Sequence, residues 1–138
     1  MGNRISELAS YMQPLAMQLL DQAGAAGLDP VVEDTGRTAD EQKLKVSSGV
    51  SWTVHSKHLP QPPEQKSEAI DVVPRVCMAL KYWGWNGTIK TSHPYWGKLI
   101  TIGESLGLRC GVYFPHPDPG HFEYIHPQRG SEDAANVA

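Results

Sequence analysis

The chain has no long apolar run. No window approaches the roughly 20 apolar residues of a membrane span, and the start Met1-Gly2-Asn3-Arg4 leads into a mixed amphipathic stretch unlike the apolar centre of a signal peptide. Membrane insertion is therefore not expected, and synthesis in a cytoplasm is. A basic run is missing too: 12 basic against 15 acidic residues give a net charge of −3, which leaves no electrostatic footprint for nucleic acid. Cysteine is scarce. Cys77 and Cys110 lie far apart in the sequence, and buried free thiols are expected of them rather than a disulfide. Internal repeats are absent. What remains is ordinary for a soluble globular protein, with 40% hydrophobic and 20% charged residues over 138 positions, enough for one domain and one core. That domain is expected over residues 1–127, followed by a flexible polar tail over 128–138.

Helical spacing of Ile5, Leu8, Ala9 and Met12, and then of Leu15, Ala16, Leu19, Leu20 and Ala23, predicts two helices separated at Pro14, the second ending at Gly27. Val31 to Thr35 reads as a short strand. Thr38-Ala39-Asp40-Glu41 has the form of a capping box and predicts a helix start that places Gln42 and Leu44 in its first turns. Arg37 then sits between a strand end and a helix start, either as a surface arginine or as one that reaches into a cleft. Val46 to Val54 suggests a loop and a short strand, and the proline-rich Leu59 to Lys66 a solvated loop. Glu68 to Val73 reads as a strand with Asp71 inside it. His93 to Leu106 is a helical pattern stopped by Gly107, in which Gly103 allows close packing. Leu108 to Phe114 and His121 to Ile125 are expected as strands around a tight loop at Pro115 to Gly120.

Chemistry concentrates in two places. Ser56-Lys57-His58 and Ala69-Ile70-Asp71 put an imidazole and a carboxylate at the two ends of the proline-rich loop, and Asp118-Pro119-Gly120-His121-Phe122-Glu123 adds an acid, a second imidazole and another acid. Two imidazoles and a carboxylate beside stiff apolar segments suit a catalytic zinc, which takes three protein ligands and keeps its fourth position for water. Asp71, set among Ala69, Ile70, Val72 and Val73, also needs a partner, because a buried lone carboxylate costs several kcal/mol. A nearby acid could take a proton from the water. The pattern points to a metal-dependent hydrolase. His55, His93, His116 and His126 are other candidate ligands, Asp118 taken alone could be a turn residue, and Glu123 is placed to orient His121. Trp52, Trp83, Trp85 and Trp96 fit either core packing or a glycan cleft.

The order Thr35-Gly36-Arg37-Thr38, Glu41-Gln42, Ser56-x-His58, Ala69-x-Asp71 and Asp118-x-x-His121-Phe122-Glu123 resembles the zinc D-alanyl-D-alanine carboxypeptidase family, and within it the L-alanyl-D-glutamate endopeptidases that serve as phage endolysins. The resemblance spans Pro14 to about Ile125. It implies Zn2+ held by His58, Asp71 and His121, Asp118 as the acid that activates water, Arg37 holding substrate or oxyanion, and Ser56 and Gln42 in support. It implies an α+β fold of the hedgehog and D-Ala-D-Ala peptidase type, with a small, mainly antiparallel sheet packed with helices and the zinc site on one face. The family's compact Ser-x-His-x-x-Gly-x-Ala-x-Asp has seven positions from His to Asp, against thirteen here, so a loop insertion at Pro60 to Lys66 is expected to leave both ligands on their supports. His55 is the substitute for His58 if that loop is built differently.

The implied partner is the peptide stem of bacterial peptidoglycan, cut at the L-alanyl-D-glutamate bond by a monomer made in the host cytoplasm and released to the periplasmic wall. D-alanyl-D-alanine carboxypeptidase or dipeptidase activity at the same site is the nearest alternative. A non-catalytic zinc module that binds wall material or builds a virion is the alternative from a different class.

Overall fold

The structure is a computed structural model that describes residues 3–48 and 56–127. The sequence elements around Val50 to Val54, His55 as a ligand, Trp52 and the tail from residue 128 lie outside the described residues. After a 3₁₀ turn at Ile5–Glu7 come helix α1 (Gln13–Ala25), strand β1 (Pro30–Asp34), helix α2 (Ala39–Ser47) and strand β2 (Ala69–Pro74). A short helix α3 (Arg75–Met78) and a 3₁₀ turn at Lys81–Gly84 lead to helix α4 (Pro94–Ser105), followed by strands β3 (Arg109–Gly111) and β4 (Asp118–Glu123). The strands form one antiparallel sheet in the order β1-β2-β4-β3. The expected α+β class and antiparallel sheet are thus both present, and no helix of the described residues is long and apolar enough to cross a membrane.

Local sequence explains most boundaries. Pro14 falls in the first turn of α1, where its missing N–H costs nothing, and Gly27 at φ 81 lets the chain leave the helix. Thr38 accepts from Glu41 N while Glu41 reaches back to Thr38 N, the capping box that starts α2. That helix runs on to Ser47, past the loop expected from Val46. The last two strands also differ from expectation. β3 stops at Gly111, where Phe114 N turns back to Gly111 O, and Pro115 and Pro117 supply no donors to extend it. β4 starts earlier than expected, at Asp118, because Asp118 pairs with Gly111 across a bulge. The proline-rich insertion is an ordered turn: Gln61 and Lys66 bridge, and Glu64 accepts hydrogen bonds from the backbone and hydroxyl of Ser10. Cys77 and Cys110 are buried free thiols, and burial pushes the Cys110 thiol up to about 12.

The core lies between the sheet and helices α1 and α4, where Met12, Leu19, Ile70, Trp96, Leu99 and Phe122 are all essentially solvent-free. Gly103 of α4 is the tightest point. A Cβ built there would stand 2.2 Å from Phe122 Cε1 and 2.4 Å from its Cδ1. Phe122 sits between His121 and Glu123, so this contact sets how closely α4 approaches the strand that carries them. Gly103→Ala is expected to destabilise the fold by about 2 kcal/mol in urea unfolding, since a 2.2 Å approach to a buried ring puts overpacking near the top of its range of roughly 1–3 kcal/mol and the gain in helix propensity returns about 1.

Candidate metal centre

Cross-strand register builds the site. Asp71 of β2 pairs directly with His121 of β4, so their side chains leave the same face of the sheet. His58 arrives from the segment before the insertion, which is pinned on both sides: Arg37 N donates to His58 O at 2.9 Å and Glu68 N to Lys57 O at 2.9 Å. Ser56 is buried and its hydroxyl accepts from His58 N at 3.2 Å. The longer spacing between His58 and Asp71 leaves both residues on their supports.

Three ligand-type atoms converge. His58 Nε2 lies 2.9 Å and His121 Nδ1 3.2 Å from the same oxygen, Asp71 Oδ1. Ligand atoms around a tetrahedral zinc are spaced roughly 3.3 Å apart, from bond lengths near 2 Å. His58, Asp71 and His121 form a group that could hold a metal ion, with donor atoms all within 4.8 Å of one another. Both imidazoles are fully enclosed, whereas the Asp71 side chain keeps 19% of its exposure, which leaves an opening at the carboxylate. Among the other histidines, His93 caps α4 through Nδ1 and His126 meets Glu68 at 2.5 Å, so neither joins this group; exposed His116 is outside it as well.

Electrostatics follow from this crowding. Burial alone would raise the Asp71 carboxyl, but the charges of His58 and His121 and hydrogen bonds from both rings hold it well below the usual carboxylate range. Burial opposes charge on His121 too, yet its hydrogen bonds to Asp71 and to Glu123 push its pKa up to about 10. Asp118 behaves in the opposite way. Its carboxyl is raised by burial and by the Asp71 charge, against the lowering pull of His121, His58 and Arg37.

Arg37 is a cleft residue with only 7% of its side chain exposed. Its Nε donates to Asp34 at 2.5 Å, one terminal nitrogen to Gln42 Oε1 at 2.7 Å and the other to Asp71 Oδ2 at 3.3 Å. Buried Gln42 thus supports the arginine. Glu123 Oε1 lies 2.8 Å from His121 Nε2, the arrangement that fixes a ligand's ring and frees Nδ1 for a metal.

Sequence spacing does not reveal Asp34, Lys57 and Glu68. Asp34 is buried three residues before Arg37 and orients it. Lys57, with 2% of its side chain exposed, lies 3.8 Å from Glu68 and 3.9 Å from Glu123 and donates to Tyr124 O at 3.1 Å. Glu68 also accepts from Tyr11. Charged residues next to apolar strand positions are the one signal that could have found them.

No family model matches the chain. It is 28% identical over 107 residues to the L-alanyl-D-glutamate peptidase of Listeria phage A118, covering 78% of this chain and 34% of that protein. The chain resembles the L-alanyl-D-glutamate peptidases. Its fold is that of Serratia marcescens L-Ala D-Glu endopeptidase ChiX, at a TM-score of 0.60 and 15% identity, covering 91% of this chain and 86% of that one. The chain spans about a third of the length of the phage relative.

Hydrogen bonds to Asp71 and Glu123 push the His121 pKa up to about 10, so a metal taken up at Nδ1 is expected to displace a proton at neutral pH. Calorimetric zinc titration near pH 7.5 in buffers of different protonation enthalpy is expected to report release of about one proton, and affinity is expected to climb as pH rises toward 10. Uptake without proton release would contradict the assignment of His121.

Proposed function

We propose that this chain is a zinc peptidase that hydrolyses the L-alanyl-D-glutamate bond in the stem peptide of bacterial peptidoglycan, in the manner of a phage endolysin made in the host cytoplasm. The observation that carries the reading is the meeting of His58 Nε2, Asp71 Oδ1 and His121 Nδ1. Asp118 and Arg37 are close enough to that group to shift or share its charges. His58, Asp71 and His121 would hold the zinc, which would supply Lewis acidity to polarise a peptide carbonyl and to make water acidic near neutral pH.

The chain's own groups supply the rest. Asp118 accepts the proton of the attacking water and delivers it to the leaving amine; burial raises its proton affinity toward what a base working near neutrality needs. Arg37 holds negative charge that develops on the carbonyl oxygen. Of its five N–H groups, three go to Asp34, Gln42 and Asp71, and the two left over are donors for the oxyanion. Glu123, Ser56 and Gln42 position His121, His58 and Arg37 through the contacts described above.

Mass spectrometry of products from purified Gram-negative peptidoglycan, with zinc-loaded and with chelated protein, tests this. Peptides beginning at D-glutamate that appear only with metal are expected; loss of a terminal D-alanine alone would mean carboxypeptidase activity, and no metal-dependent product a binding module. Asp118→Asn is expected to keep its zinc, measured by metal analysis, while hydrolysis falls roughly 10²- to 10⁴-fold.

A further inference from the structure

Trp83, Trp85 and Trp96 meet Asp118, Pro119 and Gly120 around a cleft of about 380 Å³. Trp96 is core, with 1% of its surface exposed, but Trp83 is 46% exposed. Packing does not explain Trp83. It stands at φ 52, a left-handed conformation that a bulky residue rarely adopts. The surroundings hold it there: Trp83 N donates to Leu80 O at 2.8 Å, the Trp96 indole N–H donates to Trp83 O at 2.7 Å, and the following Gly84 is fixed by His93 N at 2.8 Å. Strain of this kind persists where the fold over-determines it, and it clusters at functional sites.

The cleft borders the candidate site at Asp118, which lines it and whose carboxyl responds to the charges of Asp71, His121, His58 and Arg37. Among the described residues its lining includes no cation. The peptide that follows the L-alanyl-D-glutamate bond carries free carboxylates, which indole walls and Asp118 do not suit. A separate cleft of about 510 Å³ beside His58 does carry cations, Arg37 and Lys66, alongside the acids Glu7 and Glu41. On the other side of the bond, the L-alanine nitrogen bears a lactyl group joined to an N-acetylated pyranose. One residue and one lactyl unit reach roughly 7 Å at about 3.5 Å each. The C–H face of a pyranose packs on an exposed indole through dispersion and the negative face of the ring.

Resting on the proposed function, we infer that the Trp83–Trp85–Trp96 cleft is a saccharide subsite that stacks the pyranose linked through its lactyl group to the L-alanine of the scissile bond. Steady-state kinetics of the zinc-loaded chain on two substrates tests it: the free tetrapeptide L-Ala-D-Glu-diaminopimelate-D-Ala, and the same peptide carried on N-acetylmuramic acid. A KM about tenfold lower for the sugar-bearing substrate is expected, as one ring stacking contact provides. Trp83→Ala is expected to bring the ratio of the two KM values close to one, and Trp83→Phe, which keeps an aromatic face, to retain most of it. Equal KM values in the unsubstituted protein overturn the inference without any variant. So does a lower KM for the free peptide, or a ratio that Trp83→Ala leaves unchanged. Hydrolysis of the free tetrapeptide with no preference leaves the proposed function standing, whereas hydrolysis of neither substrate removes that reading and this inference with it.

Discussion

Asp71 is a carboxylate in the middle of a central strand, and the architecture around it is arranged to keep it charged. Three segments distant in sequence deliver His58, Arg37 and His121 to its two oxygens at 2.9, 3.3 and 3.2 Å. A lone carboxylate at such a position would cost several kcal/mol, so the strand pairing of β2 with β4 and the docking of the His58 segment depend on one another. The same convergence that neutralises the acid leaves two ring nitrogens and one oxygen facing each other. Stability and metal-binding capacity therefore rest on one set of contacts.

Behind that set lies a second buried charged layer. Glu123 holds the far nitrogen of His121, Lys57 stands between Glu123 and Glu68, and Glu68 is tied to Tyr11 and His126. Each buried charge has an opposite charge or a polar hydrogen within reach, which is what lets the layer persist without solvent. Its consequence at the site is rigidity: the His121 ring cannot turn without breaking its 2.8 Å contact to Glu123. Close packing of Gly103 on Phe122 fixes the same strand from the opposite side.

Much of this was legible in the sequence, because the signals were local. The capping box at Thr38, the Pro14 and Gly27 helix limits, the α4 pattern and the strand around Asp71 all depend on residues within a few positions of each other. His58, Asp71 and His121 were named as a set by the resemblance of their motif order to the zinc D-alanyl-D-alanine carboxypeptidases, since imidazoles and acids beside apolar segments alone left other histidines open. The limits of β3 and β4 were misjudged, since they depend on a bulge at Cys110 and Gly111 and on where prolines interrupt pairing. Asp34, Lys57 and Glu68 were invisible for a related reason. Their partners are set by tertiary approach, and an isolated charged residue in a sequence reads as solvent-facing. Trp83 could not be separated from core tryptophans until its exposure and left-handed backbone were seen.

The proposed function requires one divalent ion between His58, Asp71 and His121, with a position left for water near Asp118. Anomalous diffraction from crystals of the zinc-loaded protein at the zinc edge tests it most directly. The account predicts a single strong peak bonded to His58 Nε2, Asp71 Oδ1 and His121 Nδ1, with a fourth, non-protein ligand. A peak held by four protein side chains, a peak at other histidines, or none at this site would contradict it.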